Sequence, residues 1–185
     1  MNKDPSVSIV IPNWDGLWLL KQFVGKIVDA SNHYKGESEI IIFDNGSVDR
    51  SLSFIKDNFP EIRLLSNPDN IGFGKACNQS AKSACGELIL FLNNDISVPE
   101  DFITLLIEDY NVADKPFALT CNAFNMDVDS SEKHSFFGSR ILVREVDDGE
   151  IKQLWDMAPS VQLTETDYCS GAAFLCYRQL FLDLG

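Results

Sequence analysis

The chain has 185 residues, 45% of them hydrophobic, and its 28 Asp and Glu against 15 Lys and Arg give a formal charge of −13. That length and apolar content suit one α/β domain, with room for at most a small incomplete appendage. The acidity repels phosphate backbones and anionic surfaces alike, which argues against a nucleic-acid partner and leaves a phosphorylated ligand in need of a countercharge such as a divalent cation.

Met1 to Pro5 leads straight into a strand-like run without the longer apolar segment of a signal peptide, and no stretch of about 18 apolar residues follows. The expectation is a cytoplasmic protein with no transmembrane segment. Val7 to Pro12 is a β-branched run ended by a proline that cannot donate to a ladder, so it reads as a buried strand. It exits into Asn13, Trp14, Asp15 and Gly16, a polar and aromatic group of functional type. Leu17, Leu20, Phe23, Val24, Ile27 and Val28 then recur at helical spacing and predict one packing helix over roughly 17–31.

Glu39 to Phe43 is the second strand, and Asp44-Asn45-Gly46-Ser47-Val48-Asp49 combines turn residues with an N-cap signal for a helix at about 50–58. Ile62 to Leu65 forms a short third strand, followed by a loop from Ser66 to Asn70. Repeated strand, loop and helix units imply parallel strands joined by right-handed crossovers. Asn70-Ile-Gly-Phe-Gly-Lys-Ala-Cys-Asn78 opens a helix running to about Cys85. Gly72 and Gly74 lack the third glycine of a dinucleotide fingerprint, Cys77 standing in its place, and no Gly-x-x-x-x-Gly-Lys-Ser/Thr run exists. A Rossmann dehydrogenase and a P-loop nucleotidase are both set aside.

Glu87 to Leu92 carries an unbroken apolar run of five that suits a strand buried on both faces. It ends in Asn93, Asn94 and Asp95, at the carboxyl end where open α/β sheets bind ligands. Their oxygens are of the hard type that Mg²⁺ or Mn²⁺ prefers, the remaining ligands coming from water and substrate phosphates; a plain turn after a strand explains these three residues equally well. Pro99 to Asp101 starts a helix through Phe102, Leu105 and Leu106, and Phe117 to Cys121 forms another strand. Residues 125–135 lack apolar periodicity and read as a loop, Ile141 to Val143 and Val146 as a short strand, and Asp147-Asp148-Gly149 as a hairpin-type turn. Residues 150–168 carry no signal. Gly171 to Tyr177 is a buried strand, and Arg178 to Leu184 begins a helix. The five cysteines are odd in number and form no Cys-x-x-Cys pair, so neither a disulfide framework nor a zinc ribbon is expected.

Five stretches in this order resemble the family 2 glycosyltransferases of the GT-A fold, in particular their rhamnosyltransferase-like branch: residues 7–16, 43–49, 70–78, 91–95 and 170–175. The resemblance covers nearly the whole chain. It implies a single GT-A domain over 1–185, a mostly parallel sheet flanked by helices, cut at its C-terminus before the part that supplies the catalytic base. It further implies transfer of a sugar, with inversion, from a nucleotide-diphosphate donor of UDP or dTDP type to a saccharide or lipid-linked acceptor, in bacterial cell-surface polysaccharide synthesis. A full-length protein of this kind is cytoplasmic or peripheral at the inner membrane face.

Carried over by position, Pro12 and Trp14 line the base pocket together with Asn13 and Asp15, Trp14 stacking on the base or else packing against the first helix. Asp44 accepts the imide N–H of uracil or thymine, for which an acceptor-only carboxylate is suited, or else serves its turn. Asn70, Lys75 and Asn78 frame the nucleotide and its phosphates, with Asn93 and Asn94 beside them. Asp95 matches the last aspartate of the family's Asp-x-Asp signature and is the expected ligand for Mg²⁺ or Mn²⁺, while Asn93 replaces the first. Gly171 and Ala172 fall on the acceptor side, and the proton-accepting carboxylate is expected beyond Gly185. Two rivals stand beside this reading: a sugar-phosphate nucleotidyltransferase, which calls for a glycine-rich basic loop after the first strand, and a non-enzymatic nucleotide-binding module.

Overall fold

The computed structural model describes residues 4–113, 116–121, 169 and 171–185, together with the backbone of strands at 123–124, 136–137, 140–145 and 151–156. The first half of the chain alternates as the apolar pattern requires: β1 (Val7–Asn13), α1 (Leu17–His33), β2 (Ser38–Asn45), α2 (Ser51–Asn58), β3 (Arg63–Asn67), α3 (Phe73–Ser83), β4 (Leu88–Leu92) and α4 (Phe102–Val112). Short strands follow at β5 (Ala118–Thr120), β6 (Ala123–Phe124), β7 (Phe136–Phe137), β8 (Arg140–Glu145) and β9 (Ile151–Asp156), and the chain closes with β10 (Ala173–Tyr177) and α5 (Arg178–Leu184).

Among the described residues six strands form one sheet in the order β3-β2-β1-β4-β10-β5. β1 to β4 are parallel to their neighbours, and β10 runs antiparallel to both β4 and β5. The expectation of a mostly parallel sheet therefore holds, with β10 as an antiparallel strand within it. β8 and β9 pair antiparallel as a hairpin, and β9 lies in the stretch without a sequence signal. The loop at 125–135 and the turn at 147–149 fall outside the described residues.

The strand order follows from crossover handedness. Passing through α1 and α2, the chain steps from β1 to β2 to β3 on one face of the sheet, then returns through α3 on the other face to lay β4 beside β1. β4 is consequently covered on both sides, which is what its unbroken apolar run demands. Leu88, Leu90 and Leu92 join Val24, Ile27, Ile55 and Leu106 in one core, while Ile89 and Phe91 join Cys77, Ala81 and Cys176 in the other. Phe91 stacks on Phe174 and tilts against Phe181, with ring centroids 4.8 Å apart in each case. That packing anchors both β10 and the short α5.

Burial pushes the thiols of Cys77, Cys121 and Cys176 up to about 12, so these free cysteines act as small apolar side chains. No helix of the described residues is long and apolar enough to cross a membrane.

The two-sided burial of β4 sets an expected outcome. Leu90→Ala leaves a cavity at a fully buried position and should lower the unfolding free energy in urea titration by about 2–5 kcal/mol. Leu105→Ala, at a half-exposed position on α4, should change it by no more than about 0.5 kcal/mol.

Candidate functional site

The carboxyl ends of β1, β2 and β4 meet where the strand order reverses, and polar side chains end each strand. Asn13, the last residue of β1, is only 2% exposed. Its Nδ2 donates to Asp44 Oδ1 at 3.1 Å and to Ser47 Oγ at 3.3 Å, and its Oδ1 accepts from Asn94 Nδ2 at 2.9 Å. Asp44, also 2% exposed, takes the backbone N–H of Ser47 on its other oxygen at 3.1 Å. Each carboxylate oxygen keeps a second lone pair, so the group retains acceptor capacity. Gly16 crosses above this chain so closely that a Cβ there would land on Asn13 Oδ1 and Asn94 Nδ2. A side chain at 16 would part the Asn13–Asn94 bond.

The β1 and β2 exits are laced together a second time. Asp15 sits at φ 47°, in the left-handed region that costs a non-glycine residue energy. Its backbone N–H donates to Ser47 Oγ at 2.9 Å, and its carboxylate accepts from the N–H groups of Val48 at 2.7 Å and Asp49 at 3.2 Å. These bonds offset the backbone cost. Asp49 caps two helices at once, accepting from Leu17 N–H of α1 at 2.9 Å and from Ser51 N–H of α2 at 2.8 Å, with the Ser51 hydroxyl as a third donor. Burial raises its pKa, but the Ser51 hydroxyl and the two backbone donors lower it by more, and the net shift is downward.

Asn45 ties β2 to the loop before α3. Its Oδ1 accepts from Ile71 N–H at 2.9 Å and its Nδ2 donates to Asn70 Oδ1 at 3.0 Å, while Asn70 Oδ1 also accepts from Gly72 N–H at 2.9 Å. Gly46, at φ 80°, lets the two loops touch, since a Cβ there would meet the backbone of Asp69 and Asn70 within 2.8 Å. At the β4 exit, Asn93 N–H donates to Ala172 O at 2.8 Å and its carbonyl accepts from Ile96 N–H at 3.4 Å. Asp95 projects exposed from this turn.

Of the sequence-expected residues, the fold thus brings Asn13, Asp15, Asp44 and Asn94 into one network, joins Asn70 to its edge, and sets Asn93 beside Ala172 and Gly171. Pro12 is half-buried in β1, and Trp14 stands 60% exposed at the rim, outside the hydrophobic core. Lys75 is exposed in the first turn of α3 and Asn78 half-buried one turn on; among the described residues no hydrogen bond joins either of them, or Asp95, to the network. Asp95 is also the lone carboxylate at its turn: among the described residues no group of three or more His, Cys, Asp or Glu is placed to hold a metal ion. In the sequence Asn45 and Ser47 stand only as turn residues. Their composition signals a turn, and their cross-loop bonding has no local signature.

The family model for Glycosyl transferase family 2 matches residues 8–185, and the chain belongs to that family. An N-acetylglucosaminyltransferase of Neorhizobium galegae is 31% identical over 116 residues, covering 60% of this chain and 26% of the relative. The chain thus spans about a quarter of that relative's length. Staphylococcus aureus TarS 1–349 superimposes with a TM-score of 0.67 at 16% identity over 97% of this chain and 49% of that one, and its complex with UDP-GlcNAc with 0.53 at 19% over 62% and 33%. The mannosyltransferase PcManGT from Pyrobaculum calidifontis, in complex with GDP-Man and Mn²⁺, gives 0.55 at 19% identity over 65% of this chain and 36% of that one. The fold is GT-A.

The double cap by Asp49 yields a pH test. A carboxyl whose folded pKa is depressed contributes stability above its unfolded value, near 3.9, and loses it as pH falls through the folded value. Asp49→Asn should therefore be less stable than the parent at pH 7, with the gap closing below about pH 4, as followed by chemical denaturation at a series of pH values.

Proposed function

We propose that this domain binds the donor of an inverting glycosyltransferase, a pyrimidine nucleoside diphosphate sugar of UDP or dTDP type, across the ends of β2, β1 and β4. The carrying observation is the buried hydrogen-bonded chain Asn94–Asn13–Asp44, which holds one acceptor-only carboxylate at the switch point of the sheet. A pyrimidine presenting one N–H between two carbonyls complements such an acceptor. Asn13 and Ser47 fix the carboxylate's orientation, and Trp14 offers its exposed ring as a stacking platform, with Pro12 and Asp15 beside it. Asn70 and Asn78 frame the nucleotide, and Lys75 is the cation of the α3 first turn available to phosphate.

The donor set at the β4 exit suits Mg²⁺ or Mn²⁺ carried in with a diphosphate. Asp95 offers a solvated carboxylate, and the bond from Asn94 Nδ2 to Asn13 leaves the Asn94 amide oxygen uncommitted to that contact. When bound, the cation supplies charge neutralisation for a departing diphosphate. In the transfer itself, an acceptor hydroxyl oxygen bonds to the anomeric carbon as the bond to the diphosphate oxygen breaks, and a carboxylate base takes the hydroxyl proton. We assign that base to none of the described residues. Gly171 and Ala172 face the acceptor, a saccharide or lipid-linked saccharide, and the setting is cytoplasmic polysaccharide synthesis, in solution or at the membrane face.

Family membership favours glycosyl transfer over nucleotidyl transfer. Within the family, Asn93-Asn94-Asp95 supports a rhamnosyltransferase-like branch, whereas the name of the Neorhizobium relative supports an N-acetylhexosamine donor. We favour the second, since it rests on a stretch of more than a hundred residues.

Calorimetry tests the base assignment. With Mn²⁺ present, UDP and dTDP should bind, while ADP and N3-methyl-UDP, which have no ring N–H to give Asp44, should bind roughly 10- to 100-fold more weakly, the value of one hydrogen bond to a charged group. Equal affinity for UDP and its N3-methyl form would return Asp44 to a purely structural role. Asp95→Ala should abolish the Mn²⁺ dependence of UDP binding and leave the unfolding transition in place, because Asp95 is exposed.

A further inference from the structure

The aromatic ring of Phe73 is 48% exposed at the first position of α3, and neither the nucleotide contacts nor the core uses it. It follows Gly72, whose φ of 83° turns the chain sharply into the helix. Although α3 packs beneath β1 and β2, this ring reaches to the segment before β10: its Cε1 and Cζ lie 3.6 and 3.7 Å from where a Cβ on Gly171 would stand. That segment is fastened in turn to the β4 exit by the bond from Asn93 N–H to Ala172 O. Phe73 therefore stands at the junction of the Asn70 loop, the Asn93 to Asp95 turn and Gly171.

The sheet order gives this position a meaning. The base end of the site is at Asp44 on β2 and Asn13 on β1, and the diphosphate end is at the β4 exit. The next strand along is β10, preceded by Gly171. From β2 to β10 is three strand spacings, roughly 14 Å, which is a reach suited to a base, ribose and diphosphate with a hexose at its far end. A half-exposed ring whose edge meets a glycine offers apolar surface to a sugar ring's C–H groups, the usual role of aromatic linings in otherwise polar sites.

We propose that Phe73, where its ring edge meets the acceptor-side Gly171, is the donor-sugar platform of this site and a specificity-determining residue for the hexose. The inference rests on the donor-binding reading above. Phe73 touches the sugar and leaves the nucleotide to Asp44 and Trp14, so its removal should separate the two parts of the ligand.

The test is calorimetry in Mn²⁺ with UDP and UDP-GlcNAc as separate probes. Phe73→Ala, which places a good helix former at an exposed helical position, should keep the parent's unfolding transition and bind UDP within about twofold of it. Its affinity for UDP-GlcNAc should fall roughly 3- to 10-fold. Phe73→Tyr should restore most of that loss, and Phe73→Leu, apolar but without a ring face, should not. Equal weakening of UDP and UDP-GlcNAc, or of neither, would overturn the platform while leaving the donor site standing. Absence of UDP binding by the parent chain would overturn the donor-binding reading, and the platform with it.

Discussion

Burial of polar side chains at consecutive strand ends is the constraint from which the geometry of the cleft follows. Asn13, Asp44 and Asn45 are all buried, and an unpartnered polar group in such a place costs about 1–3 kcal/mol. Each finds its partner in another strand's loop. The parallel register sets Asn13 opposite Asp44, so the pairing that closes the β1 and β2 ladder also delivers the amide to the carboxylate. A slip of β1 by one residue would turn Asn13 onto the opposite face from Asp44 and leave both buried polar groups unmatched. Among the described residues Thr104 Oγ1 is the buried side-chain polar atom with no hydrogen-bond partner, and it lies on α4, away from these loops.

The central layers of the fold were legible because they obey periodicity. β4 announced its two-sided burial by five consecutive apolar residues, and α1 its single packed face by helical spacing, and both appear within a few residues of the expected bounds. β10 was visible as a strand, but its antiparallel direction was not. Strand direction depends on the route taken by the segment between α4 and β10, whose pattern is weak, and the strand itself reads alike in either sense. β9 went unread for a related reason: Ile151–Asp156 alternates too little to distinguish a strand from a polar loop.

The candidate site was legible in identity and illegible in connection. Asn13, Asp44, Asn70 and Asn94 drew notice as ligand-type residues at strand ends, yet the bonds among their loops span 25 to 81 positions of sequence. No local pattern encodes which amide meets which carboxylate. Asn45 and Ser47 illustrate the gap, since residues that look like turn formers turn out to hold the turns against their neighbours. Gly16 and Gly46 belong to the same class, because a glycine kept clear for another loop's approach looks like any other loop glycine until the approach is seen.

What emerges is a site built in two mechanical regimes. The end proposed to take the base is locked: Asp44 is oriented by Asn13 and the Ser47 amide, Asn13 is oriented by Asn94, and Asp15 is held in an uncommon conformation by three bonds. The end proposed for the diphosphate and sugar consists of side chains presented to solvent, Asp95 and Phe73, on segments that each meet the Gly171–Ala172 stretch. A preorganised half spends little entropy in selecting a flat base, whereas an open half can accommodate a cation, a diphosphate and a sugar of more than one shape. Within such a division, changes of sugar preference require substitution only at the exposed end. The base end is constrained by the folding of three strands, because Asp44, the proposed reader of the base, also satisfies the buried Asn13 amide.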